Sequence, residues 1–543
     1  MHENLKREDC SPMSRCSGTK RLNVCAILAL LKEKLLFPFK QDWFYFLLLW
    51  VLIALPNCYS QLGHPTYAVY LAMMYYIIAY VIVVVLNLCQ ILARVFKSIA
   101  LILAMLLAMM NIYCYEVYGC LLSNDFVKII AATNLGEAKE YFETFLSWWQ
   151  IVMFFLCLAS SALIPFLFPK KHKKEIGKSW MAAAGVLLFS IGSIWHNSGI
   201  IREEFMDKRR WEVFSFEQII DLKNHPTHPQ IEECDSIHPS RIIIILGESF
   251  SLNHSSLYGY KRNTNPLLKK QVEDGNLFVY KQVTSPCSHT TAAFKYLLNT
   301  YQIGNEDGFP WYEHTNIIEV MKIAGYYTAW ISNQSEKGMF DNLPSGHAQL
   351  CDEKFFLENE KKSDRCDGGL IGKESAKTRG KNVVFYHFMG QHEKFEERYP
   401  HDYEQFNGKD YEECPEHQRK ILAAYDNATL YNDFVVNSIM DRYKEQDAVV
   451  FYFSDHGLDL FDTDPNYFGH AKATEESQAQ GKKIPFMIYV SPVFQELHPD
   501  KIEKIKSSTN KPFCTDKFIY AVMDVAGYRF VNNNDVEKYS IFQ

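Results

Sequence analysis

The sequence predicts an α-helical membrane domain with five transmembrane helices, followed by an α/β domain built on a parallel sheet. Long apolar runs occupy the chain up to about residue 200, and the rest alternates apolar strands with helical patterns. A hydrophobic content of 48% argues against intrinsic disorder. The formal net charge of −7 argues against a nucleic-acid-binding protein, since an acidic chain has little to offer a phosphate backbone.

Five apolar runs are near the length that a helix needs to cross a bilayer. Buried helices of a soluble core are the alternative, but five such runs in close succession exceed what a soluble core contains. The predicted spans are Trp43–Tyr59, Tyr67–Cys89, Ile99–Tyr118, Phe145–Phe168 and Trp180–Ile200.

Lys and Arg are distributed unevenly between the two sides of these spans. Fifteen lie in the N-terminal segment and in the loops after the second and fourth spans, whereas the other two loops hold two. The positive-inside rule therefore places the N-terminus in the cytoplasm. Because five crossings follow, everything after residue 200 is expected on the outer side of the membrane.

Four segments result from this pattern. Residues 1–42 form a cytoplasmic N-terminal segment, in which Leu22–Leu31 is expected to be an uncleaved interfacial helix rather than a signal peptide. Residues 43–200 form the transmembrane domain. Residues 201–239 form a linker that begins with an amphipathic segment lying on the membrane or, alternatively, an ordinary surface helix. Residues 240–543 form the soluble domain.

Short apolar strands alternate with helical patterns in the soluble domain, as is typical of a parallel α/β sheet. The helical stretches are Asn316–Ile323 and Gln418–Tyr443. The predicted strands are Arg241–Leu246, Tyr327–Ile331, Val383–Phe388, Ala448–Phe453 and Pro485–Val490.

Polar residues follow four of these strands, and ligands of open parallel sheets bind beyond the carboxyl ends of the strands. The residues are Glu248, then Asn333 with Lys337, then His392, and finally the pair Asp455-His456. Glu, Asp and His are ligands that zinc accepts. A polar turn would explain Asp455-His456-Gly457 alone, but its combination with Glu248 favours a metal site.

The nucleophile is expected in the segment Thr284–Asn299, a Pro-containing loop that runs into a helix near Thr290 or Thr291. A hydroxyl at a helix N-terminus lies in positive potential, which together with a metal favours the alkoxide. A helix N-cap is the structural alternative for either threonine, and Ser249 has the same two interpretations.

Six cysteines lie after residue 200, five of them in the soluble domain, and they would lie in an oxidising compartment if the topology is right. Cys351 and Cys366 bracket a polar loop and are predicted to form a disulfide.

Taken together, these motifs resemble the phosphoethanolamine transferases of Gram-negative bacteria, inner-membrane enzymes of the alkaline phosphatase/sulfatase superfamily. The resemblance covers nearly the whole chain and includes the order of five spans and a periplasmic α/β domain. The matching motifs are Gly247-Glu248-Ser249, Cys287-Ser288-His289-Thr290-Thr291, Asn333 with Lys337, His387 to His392, Tyr425-Asp426-Asn427, Asp455-His456-Gly457 and Gly469-His470.

The resemblance implies a role for each site residue. Glu248, Asp455 and His456 would bind zinc, with the oxygen of Thr291 as the fourth ligand. Thr291 would be the nucleophile, because the family's catalytic threonine lies four positions after a cysteine, here Cys287. The implied substrate-binding residues are Asn333, Lys337, His392 and His470, and either histidine could instead help to bind a second zinc ion.

The implied reaction is transfer of phosphoethanolamine from phosphatidylethanolamine to lipopolysaccharide, on lipid A or a core sugar, through a phospho-threonine intermediate. The alternatives are a membrane-anchored phosphoglycerol transferase or another phosphodiester hydrolase of the same superfamily. A sulfatase is disfavoured, since Cys287 does not begin a Cys-x-Pro-x-Arg signature and is followed by Ser288, His289 and Thr290. A transporter or other non-enzymatic membrane protein is disfavoured because Glu116 is the one charged residue within the five predicted spans.

Two departures from the family pattern concern the surroundings of the site. Cys287 lacks the partner cysteine usual about ten residues on, and Lys394 stands where the family usually has proline. These differences indicate a divergent member, closer to the enzymes that modify the lipopolysaccharide core.

Overall fold

The computed structural model describes residues 42–88, 92–122, 148–167, 222–304, 308–336, 343–359, 366–375, 380–470, 472–531 and 533–543, with a few short stretches near residues 29–36 and 138–142. The chain divides into two compact units, Met1–Asn111 with Val152–Glu204 and Ile112–Ile151 with Phe205–Gln543. The predicted fifth span and Lys337 lie outside the described residues.

Four apolar helices precede the α/β domain in the described residues. They are α1 (Trp43–Tyr59), α2 (Pro65–Leu88), α3 (Ala93–Tyr118) and α4 (Trp148–Leu167). The helices α2, α3 and α4 are long and apolar enough to cross a membrane, and α1 is shorter. The first four predicted spans are thus apolar helices, each within a few residues of its expected bounds.

Polar contacts in this part of the chain agree with the expected alternation of the helices. The buried ammonium of Lys97, near the start of α3, pairs with the Asp42 carboxylate, just before α1. The Tyr45 hydroxyl donates to the Lys97 carbonyl over 2.9 Å. Helices α1 and α3 therefore begin on the same side, as two helices separated by one crossing must.

The α/β domain is built on a seven-stranded sheet in the order β3-β11-β8-β2-β7-β5-β6. Its strands are β2 (Arg241–Gly247), β3 (Leu277–Tyr280), β5 (Tyr327–Ser332), β6 (Glu353–Phe356), β7 (Asn382–His387), β8 (Ala448–Ser454) and β11 (Phe486–Val490). Neighbours from β8 to β6 are parallel, whereas β11 is antiparallel to both β8 and β3. The five predicted strands are confirmed, but the sheet is not wholly parallel.

Shorter strands and helices complete the domain. The strands are β1 (Ile231–Glu233), β4 (Val283–Thr284), β9 (Asp459–Leu460), β10 (Phe468–Gly469), β12 (Phe513–Cys514) and β13 (Tyr528–Phe530). The helices are α5 (Pro266–Glu273), α6 (Thr290–Ala293), α7 (Ile317–Ile323), α8 (Leu343–Ala348), α9 (Glu416–Arg442), α10 (Glu475–Gly481), α11 (Pro492–Leu497), α12 (Pro499–Ser508), α13 (Phe518–Ala526) and α14 (Asp535–Tyr539).

The central strand β2 shows why the apolar runs predict this sheet. Residues 242–246 are fully buried, and they alternate between two apolar clusters. Ile242, Ile244 and Leu246 contact one cluster, and Ile243 and Ile245 contact the other. Since a strand with both faces covered has no solvent side, it consists of consecutive apolar residues.

The predicted disulfide between Cys351 and Cys366 is wrong. Cys351 is a free thiol that packs against the same apolar cluster as Ile242, whereas Cys366 belongs to the cluster on the other face of the sheet. The sheet therefore separates the two side chains. A disulfide requires the two Cα atoms to lie within about 7 Å of each other.

Candidate functional site

The carboxyl ends of β2, β7 and β8 form the rim that carries the candidate site. Gly247 at the end of β2 pairs with Ser454 at the end of β8, so that Glu248 and Asp455 follow side by side. On the other side of β2, Leu246 pairs with His387 at the end of β7. The parallel register therefore delivers polar residues from distant parts of the sequence to one place.

Three side chains converge at this rim in the arrangement of metal ligands. Glu248, Asp455 and His456 each offer one ligand atom, and these atoms all lie within 4.8 Å of one another. Glu248 Oε1 lies 3.1 Å from His456 Nε2. All three residues are buried. The structure thus brings the three predicted ligands together in a group that could hold a metal ion.

Two buried carboxylates share one imidazole in this cluster. Burial and the neighbouring Glu248 carboxylate raise the pKa of Asp455 to about 7. Burial opposes the charged form of His456, but the carboxylates of Asp455 and Glu248 raise the pKa of its imidazole to about 9. Asp455 Oδ2 is buried and accepts no hydrogen bond from the described residues. A buried carboxylate oxygen without a partner is costly, and a cation would satisfy it.

The three ligands fit a zinc ion. Zinc accepts imidazole nitrogen and carboxylate oxygen, and its catalytic sites keep three protein ligands with an open fourth position. One imidazole and two carboxylates, with an Asp455 oxygen that accepts no hydrogen bond from the described residues, match these ligand preferences and this ligand number.

Of the two candidate threonines, Thr290 is the one whose hydroxyl contacts the three ligands. Its Oγ1 donates to Glu248 Oε2 over 3.1 Å and lies 3.3 Å from His456 Nε2. The described contacts of the three ligands include Thr290 and do not include Thr291. The structure therefore places Thr290, rather than the Thr291 implied by the family spacing, against the ligands.

The burial pattern after the loop explains this choice. Ala293, at the end of the short helix α6, is fully buried, and so are Phe294, Leu297 and Leu298 in the turns after it, which together form one buried face. Extending that face one turn towards the N-terminus reaches Thr290. The apolar pattern of the sequence thus contained the signal, whereas the distance from Cys287 pointed to the next residue.

Glycines allow the main chain to close around the site at two points. A Cβ at Gly457 would lie 2.4 Å from the Lys483 carbonyl oxygen. Gly390, after β7, has φ +52°, and a Cβ there would lie 2.6 Å from the Glu248 carbonyl oxygen. Both positions therefore require glycine for close approach of the main chain.

Two further residues hold the Glu248 carboxylate. The Ser249 hydroxyl donates to Oε1 over 2.7 Å, and Ser249 has a φ of 55°, in the left-handed region. Gln334 Nε2 donates to Oε2 over 3.1 Å and to the Phe388 carbonyl over 2.9 Å. Sequence reasoning missed Gln334, although it follows β5 directly after the predicted Asn333.

Asn333 itself supports the loop after β7. Its Nδ2 donates to Asp367 Oδ1 over 2.8 Å, and Asp367 also accepts from the main-chain N–H groups of Met389 and Gly390. Burial raises the pKa of Asp367, and the hydrogen bonds from these groups partly offset that increase. Asp367 therefore fixes the loop that carries Gly390, a role that no sequence pattern revealed. The substrate-binding role of Asn333 stays a prediction.

His392 and His470 lie near the three ligands, as expected. The ring of His470 lies 4.5 Å from that of His456. Burial lowers the pKa of His392 to about 4, against the opposing charge of Glu248, and burial holds the pKa of His470 well below its usual value. The Nδ1 atom of each is buried and has no hydrogen-bond partner among the described residues.

Comparison with known proteins identifies the family of this domain. Residues 240–528, more than half of the chain, match the sulfatase family. The chain belongs to the sulfatase family. The start of this sulfatase domain lies one residue before β2, whose carboxyl end carries Glu248.

Relatives of this sulfatase-family chain include named phosphoethanolamine transferases. It is 25% identical over 454 residues to phosphoethanolamine transferase EptC of Escherichia coli K12, covering 77% of each chain. It is 24% identical over 476 residues to phosphoethanolamine transferase CptA of Salmonella typhimurium, covering 80% of this chain and 81% of that one. The predicted resemblance to phosphoethanolamine transferases is confirmed.

Solved structures agree with this assignment. The zinc complex of the periplasmic domain of Escherichia coli EptC is 25% identical, with a TM-score of 0.52 over 59% of this chain and 90% of that one. The integral membrane lipooligosaccharide phosphoethanolamine transferase A of Neisseria meningitidis is 16% identical, with a TM-score of 0.65 over 91% of this chain and 96% of that one. The second match shows a shared fold that includes apolar N-terminal helices.

Proposed function

We propose that this protein transfers phosphoethanolamine from phosphatidylethanolamine to lipopolysaccharide, on lipid A or a core sugar, at the bacterial inner membrane. The observation that carries the proposal is the Thr290 hydroxyl in contact with the buried ligands Glu248 and His456. The similarity to EptC and CptA, which are named for this activity, supports the transferred group.

Zinc is the proposed cofactor, held by Glu248, Asp455 and His456. When bound, the ion supplies positive charge that favours an ionised hydroxyl and offsets the charge on phosphoryl oxygens. One ion fits these three ligands. A second ion would draw on His392 or His470, whose Nδ1 atoms have no partner among the described residues.

In the first step, Thr290 Oγ1 forms a bond to the phosphorus of phosphatidylethanolamine, and the bond from phosphorus to the glycerol oxygen breaks. The hydroxyl proton leaves Thr290, and the diacylglycerol oxygen takes up a proton as it departs. The Glu248 carboxylate accepts the hydrogen bond of Thr290 and so orients the attacking oxygen. A phosphoethanolamine group then remains on Thr290.

In the second step, an oxygen of the acceptor attacks the phosphorus, and the bond to Thr290 Oγ1 breaks. The acceptor oxygen loses its proton if it is a hydroxyl, and Thr290 regains one. His392 and His470 are the proposed partners in these proton exchanges, because both lie at the rim with an unpartnered ring nitrogen among the described residues. Lys337 is proposed to bind the phosphate.

The membrane segment gives this reaction a physical advantage. The donor is a lipid, and a catalytic domain tethered to the bilayer meets lipids at high effective concentration. We propose residues 43–200 as a five-helix anchor, residues 201–239 as the linker, and residues 240–543 as the catalytic domain in the periplasm.

The test is intact mass spectrometry of the full-length protein after incubation with phosphatidylethanolamine and zinc. We expect wild type and Thr291→Ala to gain the mass of one phosphoethanolamine group, and Thr290→Ala to gain none. The two variants are a matched pair, since each removes one hydroxyl and one methyl from adjacent positions. An adduct on Thr290→Ala would exclude Thr290 as the nucleophile, and loss of the adduct in Thr291→Ala alone would assign the role to Thr291. A phosphoglycerol adduct would contradict the proposed donor.

A further inference from the structure

A cleft of about 730 Å³ opens near the proposed active site. Its walls come from the turn after β3, the turn before β11, and the segments around β12 and α14. Leu252, three residues after Ser249, also lines it. None of these residues has a role in the transfer reaction described above.

The register of the sheet places this cleft on the same rim as the metal ligands. Tyr280 at the end of β3 pairs with Phe486 at the start of β11, which pairs with Phe453 near the end of β8. Because β11 is antiparallel to both neighbours, the end of β3 and the end of β8 point in the same direction. The turns that line the cleft therefore lie beside the turn that carries Asp455.

Hydrogen bonds connect the cleft wall to the site. Thr284 lines the cleft, and the hydroxyl of the next residue, Ser285, donates to the Asp455 carbonyl. Thr290 lies six positions after Thr284, and an extended chain of that length reaches at most about 20 Å. A molecule of a few sugar units could occupy the cleft and reach Thr290.

The cleft is strongly basic although the chain as a whole carries a net charge of −7. Its lining includes five lysines and, among the described residues, no Asp or Glu. The lysines are Lys281, Lys483, Lys511, Lys517 and Lys538. None of them forms an ion pair with an Asp or Glu side chain in the described part of the chain, although Lys483 donates to Gln480 Oε1 and Lys511 to the main-chain oxygen of Gln543. A concave surface with one sign of charge focuses the field and attracts ions of the opposite sign.

An aromatic ring lies among these charges. The Nζ atoms of Lys538 and Lys517 lie 4.6 Å and 6.0 Å from the centre of the Tyr539 ring. Phe513 and Ile541 add apolar surface to the same cleft. Ammonium groups bind phosphate through charge-assisted hydrogen bonds, and an aromatic ring offers a flat apolar surface to a sugar.

We propose that this lysine cleft binds phosphate groups on the saccharide that accepts phosphoethanolamine. The inference rests on the proposed function, because that function supplies an anionic glycan as a substrate. A concave cleft with an aromatic wall suits a saccharide better than the flat surface of anionic lipid headgroups. The cleft holds the acceptor while the donor reacts at Thr290.

Binding of a phosphorylated oligosaccharide to the full-length protein in detergent tests this assignment without turnover. The probe is core oligosaccharide released from lipopolysaccharide by mild acid, compared with the same material after removal of its phosphates. The test variant is Lys281→Gln/Lys538→Gln, which neutralises two exposed charges at the cleft. The control is Lys420→Gln/Lys444→Gln, which removes two exposed charges that do not line the cleft.

The expected result is that the cleft variant weakens binding of the phosphorylated probe about tenfold, because two charge-assisted contacts are lost. The control variant keeps the wild-type Kd, and the dephosphorylated probe binds weakly to all three proteins. Equal Kd values for the two double variants would overturn the proposal, as would equal binding of both probes. Binding of anionic lipid vesicles that depends on the same lysines, without binding of the oligosaccharide, would also overturn it and assign a membrane contact.

The adduct measurement separates this proposal from the proposed function. The cleft variant is expected to form the phosphoethanolamine adduct at the wild-type rate and to show an increased KM for the phosphorylated acceptor. A wild-type protein that binds the oligosaccharide but forms no adduct would contradict the transfer reaction and leave the cleft assignment standing.

Discussion

The two ends of the central sheet each hold a carboxylate beside a histidine, and they differ in whether both oxygens of that carboxylate have hydrogen bonds. At the amino end, Asp447 accepts hydrogen bonds from Ser240 and lies 3.0 Å from His498 Nε2, so that both its oxygens have partners. At the carboxyl end, Asp455 lies beside a second carboxylate, and its Oδ2 accepts no hydrogen bond from the described residues, with His456 Nε2 3.7 Å away. The first arrangement is complete as a structural contact, whereas a cation would complete the second, as we propose.

The pKa shifts of the two aspartates point in opposite directions because the groups around the two carboxyls differ. Burial opposes ionisation of Asp447, but hydrogen bonds from His498 and Ser240 lower the pKa of its carboxyl. Burial and the charge of Glu248 raise the pKa of Asp455 to about 7. The surroundings of Asp447 stabilise its charged form, which therefore serves a structural contact. The surroundings of Asp455 destabilise its charged form, so that this carboxylate is available to bind a ligand.

Substitution at the carboxyl end should give the largest effect. Asp455→Asn keeps the shape but removes a charged ligand, so we expect the transfer rate to fall by about 10³-fold or more. The metal-free variant should be at least as stable as metal-free wild type, because repulsion with Glu248 is relieved. Rate assays and thermal unfolding in detergent test both expectations. A variant with normal activity would remove Asp455 from the metal site.

The matching substitution at the amino end should have the reverse profile. Asp447→Asn loses charge-assisted hydrogen bonds in a largely buried position, so we expect the protein to be destabilised by about 1–3 kcal/mol. The turnover number of the folded enzyme should not change. A specific loss of activity, with an unchanged melting temperature, would show that the two ends are not as different as proposed.

Gln334→Ala should have a smaller effect on the carboxyl end. Gln334 holds Glu248 by one hydrogen bond, and loss of a group that orients a metal ligand lowers metal affinity by about 10–100-fold. Zinc titration against a competing chelator measures this change. Activity should recover at saturating zinc if the residue acts only through Glu248. An unchanged zinc affinity would contradict the assigned role.

The pH dependence of the metal-free protein gives a further test of the carboxyl end. The raised pKa values of Asp455, about 7, and His456, about 9, mean that the folded state binds protons more tightly than the unfolded state. Stability of the metal-free protein should therefore decrease as pH rises from about 4 to 9, through Asp455 up to about pH 7 and through His456 from about pH 6.5 to 9. Zinc-loaded protein should lose less, since the ion replaces the protons. Melting temperatures of chelator-treated and zinc-loaded samples across this range decide the point.

Sequence reasoning predicts best where one local rule decides the outcome. The apolar run Arg241–Leu246 predicts β2 because a strand covered on both faces leaves no other pattern. Glu248 and Asp455-His456 follow from their positions after such strands. The antiparallel direction of β11 could not be predicted, since its apolar run is the same in either direction.

Residues that depend on three-dimensional proximity were harder to predict. Spacing from Cys287 selected Thr291, although the buried face that contains Phe294 selects Thr290. Cys351 and Cys366 are close in sequence, but the sheet separates them. The lysine cleft is assembled from segments more than two hundred residues apart and leaves no local pattern.

The pairing of β2 with β8 determines when the metal site can exist. Glu248 is made about two hundred residues before Asp455, and neither strand holds a ligand set alone. A growing chain that contains only the first of these strands offers a single carboxylate. If the site binds a metal ion as proposed, capture of the ion must wait until β8 has been synthesised and has docked beside β2, which would make loading a late event in the biogenesis of this protein.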